Sequence, residues 1–173
     1  MAGIEIRAAG CCGLLALTAC QHALALPTQT FQVSAAVAAG CVISGTNTSV
    51  FGVLNFGTQS GVETANISAS YLQSSTITIA CTPGTALSMS INGGSNYTTT
   101  RNLKLANFSN TLAYRLFTNA SYSAASEIPV NQNVALSYSN ANSIKLPIYG
   151  LLQLRGAQRA GTYSDTLTVT LSW

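Results

Sequence analysis

The stretch that most constrains this chain is Gly161-Thr-Tyr-Ser-Asp-Thr-Leu-Thr-Val-Thr-Leu-Ser-Trp173. From Tyr163 onward every second residue is large or apolar, with Asp165 the exception: Tyr163, Leu167, Val169, Leu171 and Trp173. Ser and Thr fill the places between. A period of two sends the two sets to opposite faces of an extended backbone, so the pattern predicts a strand with one dry and one wet face. β-Branched Thr and Val favour that state, and no Pro or Gly interrupts the run after Gly161. The sequence stops at Trp173 inside the apolar pattern. A strand of this kind that buries one face needs a neighbour on each side, and the pattern leaves open what supplies the second one.

The rest of the chain repeats the period. Phe31, Val33, Ala35 and Val37 alternate with Thr30, Gln32, Ser34 and Ala36, giving a first strand candidate that runs on to Gly40-Cys41-Val42-Ile43. Val50 to Gly57 is an apolar strand punctuated by glycines, a sign of bulges or close backbone approach. Ile67, Ala69 and Tyr71 form a third alternation, and Ile77, Ile79 and Cys81 a fourth. After the turn signal Thr82-Pro83-Gly84 come Leu87, Met89 and Ile91, closed by Asn92-Gly93-Gly94. Ser95 to Asn110 is polar and reads as a long loop anchored by Leu103 and Leu105. Leu112, Tyr114 and Leu116 resume the alternation. Ser121 to Ser143 is again polar, with weak strands around Val134 to Tyr138, and Leu146 to Leu152 is a strand whose Pro147 suggests an edge or bulge. No segment holds a helical period. Short strands joined by Gly, Asn and Ser predict an all-β sandwich or barrel.

Length and composition agree. At 173 residues there is room for one domain and a leader. Charged residues make up only 6%, yet hydrophobic content is 47% and patterned, so low charge is not a sign of disorder. Arg7 precedes the uncharged run Ala8 to Ala19, which is too short to span a bilayer and reads as a secretory signal, although Glu5 weakens its positive end. Ala23-Leu24-Ala25 supplies small residues at cleavage spacing, which places a signal peptide at residues 1–25 and the mature start at Leu26. Leu17-Thr18-Ala19-Cys20 is a rival lipoprotein-type site with Cys20 as lipid acceptor.

Removing residues 1–25 leaves six bases and three acids, too few and too scattered for a nucleic-acid footprint. It also removes Cys11, Cys12 and Cys20. Cys41 and Cys81 remain, and in an exported domain they most simply form one disulfide, the alternative being two buried thiols. The single histidine, His22, lies in the leader, and the remaining acids are Glu63, Glu127 and Asp165. No nucleophile–base pair or metal set is visible, so neither catalysis nor a cofactor or metal is expected. Asp165, on an apolar face, reads as a satisfied hydrogen-bonding group near the strand start rather than a functional carboxylate.

The landmarks, taken in order, carry a resemblance. They are Phe31-Gln-Val-Ser-Ala-Ala-Val ahead of Cys41, Phe51-Gly52 with Leu54-Asn-Phe-Gly57, and Ile79-Ala-Cys81-Thr-Pro-Gly. Leu112-Ala-Tyr114-Arg-Leu-Phe, Pro147-Ile-Tyr149-Gly and the closing Gly161-Thr-Tyr-Ser-Asp-Thr-Leu-Thr-Val-Thr follow. Together they resemble the spore coat protein U family, which includes subunits of archaic (Csu-type) chaperone–usher pili. The resemblance implies an incomplete immunoglobulin-like β-sandwich completed by a donated strand, over residues 41–173. It implies a periplasmic pilus chaperone that lends a strand, an outer-membrane usher, and other pilus subunits as partners.

On this reading residues 26–40 are the donor segment or the domain's own first strand. Phe31, Val33, Ala35 and Val37 are the donor residues and Leu26 to Gln29 the free end. Tyr163, Leu167, Val169, Leu171 and Trp173 form the C-terminal strand of the chaperone and acceptor groove. The expected function is a structural pilus subunit, exported through the periplasm to the cell surface, polymerising by donor-strand exchange and supporting adhesion and biofilm formation. The alternative is a stand-alone secreted or lipid-anchored surface protein or adhesive binding module.

Overall fold

Alternating apolar residues build two layers of antiparallel strands around one core. The computed structural model describes residues 30–46 and 50–173. The expected leader over residues 1–25, its cleavage before Leu26, the rival site at Cys20 and the free end Leu26 to Gln29 lie outside the described residues. The chain divides between Ala36 and Val37, and the unit from Val37 to Trp173 contains every strand among the described residues. No helix among the described residues is long and apolar enough to cross a membrane.

The strands are β1 (Cys41–Gly45), β2 (Gly52–Leu54), β3 (Asn66–Gln73), β4 (Ile77–Cys81), β5 (Leu87–Ile91) and β6 (Arg101–Leu105). They continue with β7 (Thr111–Phe117), β8 (Val134–Leu136), β9 (Tyr149–Gln153), β10 (Tyr163–Ser164) and β11 (Val169–Ser172). A six-stranded sheet has the order β10-β6-β7-β9-β3-β2. The second layer consists of a three-stranded sheet, β11-β5-β8, and the pair β1-β4. Ile77 and Ile79 of β4 and Met89 and Ile91 of β5 turn inward to meet Tyr114 and Leu116 of β7 and Leu152 of β9. All seven are buried, and the large aliphatic side chains among them each contribute roughly 1.5–3 kcal/mol on leaving water. The fold is all-β, an immunoglobulin-like sandwich, as the sequence pattern and the resemblance predict.

Three expectations need correction. Residues 30–40 form no strand, although Thr30 to Val37 reads as one, and Phe31, Val33, Ala35 and Val37 are exposed. The polar stretch Ser95 to Asn110 is not one long loop, because β6 occupies its centre and pairs with both β7 and β10. Arg101 and Asn102 at the start of β6 are buried polar residues, which is why the segment does not look like a strand. The closing stretch is not one continuous strand either. Tyr163 and Ser164 pair with Leu105 and Lys104 of the larger sheet, whereas Val169 to Ser172 pair with Ile91 to Ser88 of the smaller one. Between them the chain changes layers.

Candidate functional site

The layer change creates a concave feature. β2 is the last strand of the six-stranded sheet and β11 the last of the three-stranded one, so each has one edge that no strand pairs among the described residues. Between these edges lies a groove of about 640 Å³. One wall is Val50 to Leu54 with Phe56, and the other is Asp165 to Val169. Buried Ile91, Tyr114, Leu116 and Ile148 floor it, together with Tyr71 and Leu103. The volume suits a small molecule. Two facing strand edges with free main-chain groups suit an extended polypeptide better, because each edge can template another strand.

Sequence sets this geometry at identifiable positions. Gly52 has no room for a side chain: a Cβ there would lie 2.2 Å from the Leu72 carbonyl oxygen and 2.8 Å from the Tyr71 hydroxyl. Its absence lets β2 sit close over β3. On the opposite wall, Asp165 holds the crossing segment in place. Its Oδ2 accepts a 2.7 Å hydrogen bond from the Tyr114 hydroxyl, and its Oδ1 accepts bonds from the backbone N–H and side-chain amide of Asn96, at 3.2 and 3.1 Å. Gly94, at φ +87°, makes space for this carboxylate, since a Cβ there would lie 2.0 Å from Oδ2. Further along, the Thr168 N–H donates to Asn92 Oδ1 at 2.9 Å and the Asn92 N–H donates to the Thr168 carbonyl at 3.1 Å. The crossing segment is therefore bonded on its Asn92–Asn96 side. Its other side faces the groove.

The titratable groups behave as their surroundings dictate. Burial, then the Asp165 hydrogen bond and charge, raise the Tyr114 phenol far above its ordinary value. Burial alone pushes the Tyr71 phenol up to about 12, and its hydroxyl has no hydrogen-bond partner among the described residues. Arg101, behind the groove floor, is 4% exposed, and desolvation lowers its pKa, while Tyr114, Glu127, Tyr97 and Asp165 oppose that shift. Its guanidinium donates to the carbonyls of Asn92, Ile128, Ile91 and Pro129. Tyr114, Asp165 and Arg101 are fixed in protein hydrogen bonds, and among the described residues no three of His, Cys, Asp and Glu gather as metal ligands.

Of the residues singled out by sequence, Leu167 and Val169 line the groove. Tyr163 packs partly buried beside Leu105, Leu171 lies opposite Met89, and Trp173 is largely exposed. Cys41 and Cys81 are joined in a disulfide between the first residue of β1 and the last of β4. Asp165 has the satisfied hydrogen bonds expected of it. Phe31, Val33 and Val37 are 85%, 84% and 85% exposed, each a large apolar side chain that buries almost nothing here. Sequence reasoning treated Phe51, Leu54, Phe56 and Tyr71 as ordinary strand residues and missed their place in the groove. The glycine at 52 was the available signal.

No curated protein matches the chain. Among solved structures, the chain is similar to one in the CsuC–CsuE chaperone–tip adhesion subunit pre-assembly complex from archaic chaperone–usher Csu pili of Acinetobacter baumannii. The identity is 21% and the TM-score 0.46, over 79% of this chain and 40% of that one. The family model for the Spore Coat Protein U domain matches residues 27–170, and with well over half of the chain so matched, this protein belongs to that family.

Proposed function

We propose that the chain is a structural subunit of a chaperone–usher surface pilus, exported through the periplasm and polymerised by donor-strand exchange. The observation that carries this reading is an open apolar groove in a chain that also has an apolar, alternating segment in no strand. Phe31, Val33, Ala35 and Val37 of one copy enter the groove of another. They lie between β2 and β11 and complete the sandwich. A periplasmic chaperone fills the same groove beforehand, an outer-membrane usher exchanges one strand for the other, and the fibre supports adhesion and biofilm formation.

Energetics favour a borrowed strand. Leaving four apolar side chains' worth of groove unfilled forfeits about 6–12 kcal/mol at roughly 1.5–3 each. A whole domain is stable by only about 5–15 kcal/mol. An empty groove therefore leaves a marginal subunit with open strand edges that invite aggregation, and a chaperone is the remedy.

The test is a chain carrying F31D and V33D, co-expressed with its chaperone and usher. The variant is expected to fold and remain chaperone-bound, because the acceptor groove is untouched, and to form no fibres, because a buried carboxylate on the donated face is prohibitive. Fibres of normal length and heat resistance from this variant would show that residues 31–37 are not the donor.

A further inference from the structure

The segment assigned to donation is tied to its own subunit at its root. The Thr82 hydroxyl donates to the Ala38 carbonyl at 3.3 Å and the Thr82 N–H to the Gly40 carbonyl at 2.8 Å, so the β1–β4 ladder runs on through Gly40. Trp173 stands beside this root, since a Cβ on Gly40 would lie 4.0 Å from the indole nitrogen. The strand pairings explain the meeting. β11 runs antiparallel to β5, with Ser172 opposite Ser88, and β1 antiparallel to β4, with Cys41 opposite Cys81. Only a short turn separates Cys81 from Leu87, so the end of β11 comes up against the start of β1. Trp173 is nevertheless 60% exposed, and Val42, on the same side of the extended chain as Gly40, is 58% exposed. Two large apolar side chains are left in water around the root.

Resting on the reading of residues 31–37 as the donor, we propose that Trp173, flanked by Val42, is a second contact surface, covered by the body of the copy that accepts the strand. Chain length dictates the occupant. Val37 seated in a neighbour's groove is one peptide step, about 3.8 Å between Cα atoms, from Ala38, which is bonded to its own subunit. Three residues link Val37 to Gly40 and span at most roughly 11 Å. The rim of the acceptor's groove therefore comes within that distance of Gly40, where the donor's indole lies. An indole suits such a rim. Its ring can pack on apolar side chains such as the exposed Val50 and Val53 of the groove wall, and its N–H can meet a carbonyl on an open strand edge. The donated strand thus supplies the attachment, and Trp173 fixes the angle at which one subunit leaves the next. A chaperone strand in the subunit's own groove is not bound by this tether, so the contact belongs to the fibre.

Trp173 is the only tryptophan in the sequence, so its fluorescence reports on this contact directly. Two samples are compared: dilute fibres of the parent chain, and the full-length chain carrying F31D and V33D with its groove filled by a synthetic peptide of residues 30–38. The second is a completed subunit with no neighbour at its root, and acrylamide should quench its indole freely. In fibres quenching is expected to fall roughly threefold or more, with emission shifted to the blue, as a ring 60% exposed enters the dry centre of a contact. Equal quenching in the two samples overturns the proposal while the donor reading stands. Protection already present in the peptide-filled subunit overturns it as well, since the cover is then the strand in the groove and not the neighbour's body. Protection that grows only as fibres are concentrated reports bundling and also overturns it. No fibres from the parent chain, or no uptake of the peptide, removes the donor reading itself, and the proposal with it.

Discussion

Replacing Arg101 by methionine tests what holds the two layers in register behind the groove. The side chain is 4% exposed and donates to Asn92 O at 2.9 Å, Ile128 O at 2.8 Å, Ile91 O at 2.9 Å and Pro129 O at 3.3 Å. Methionine fills most of the stem's volume but donates nothing. The Ile91 carbonyl keeps a second bond, from the Asn131 N–H at 3.0 Å, whereas Asn92 and Ile128 lose well-formed charged donors. Two such losses amount to about 3–6 kcal/mol at roughly 1.5–3 each. Relief from burying a guanidinium with no carboxylate in contact offsets part of this. The expected net destabilisation is about 3 kcal/mol, or a fall in Tm of roughly 6–12 °C for a domain of this size. Urea unfolding with the disulfide intact measures it, provided the denaturant slope is unchanged. R101K keeps the charge but gathers its donors at one point, cannot reach all four carbonyls, and should lose about 2 kcal/mol. An R101M domain as stable as the parent, or more so, would refute the reasoning: the buried charge would then be a net burden that a hydrophobe replaces without loss.

Other perturbations follow from the same geometry. Y114F removes the bond to Asp165 at the groove floor and should destabilise the domain by about 2 kcal/mol in urea unfolding, because a half-buried carboxylate oxygen loses its donor; an unchanged midpoint would mean that Asp165 does not depend on it. Substituting both cysteines by serine opens a link across 40 residues and should lower stability by about 4 kcal/mol in the chain-entropy model, read from the same curves. Arg115 donates two hydrogen bonds to Glu127, and this hydrogen bonding holds the Glu127 carboxyl below the ordinary range. A depressed folded pKa gives stability that is present above the unfolded value near ~4.3 and lost as pH falls through the folded value. E127Q should therefore match the parent at low pH and be slightly less stable at neutral pH, by well under ~1 kcal/mol because both groups are partly solvated. A parent and variant that differ equally at every pH would argue against the pair.

Much of the fold can be read from the chain because alternation is local. Ile77, Ile79 and Cys81, or Leu87, Met89 and Ile91, declare their buried face through nearest neighbours alone, and the cysteine pairing needs only a count and a compartment. β6 hides because two of its residues, Arg101 and Asn102, are polar and buried. What satisfies Arg101 is a set of carbonyls at Ile91, Asn92, Ile128 and Pro129, while Asn102 bonds within its own turn to Asn96, Thr98 and Thr100, and neither set shows in an apolar alternation. The break in the closing strand is hidden for the same reason: Asp165 is bonded to Asn96 and Tyr114, 69 and 51 residues away in sequence. The groove is the extreme case. Its walls, residues 50–56 and 165–169, become neighbours only through the six-stranded sheet and the layer change, so a list of strands contains its parts but not the space between them.

The bridge between Cys41 and Cys81 has a mechanical consequence. The residues just before it are already tethered, since the Thr82 N–H donates to the Gly40 carbonyl and the Thr82 hydroxyl to that of Ala38. In a fibre assembled as proposed, tension enters each subunit here. Without the bridge it would peel β1 from β4 one rung at a time, the weakest way to load a pair of strands. With the first rung covalent, the pull passes into β4, whose far edge is bonded to Ala141 and Ile144. Peeling becomes shear across several bonds at once, and a filament dragged by flow yields elsewhere before its subunits unravel.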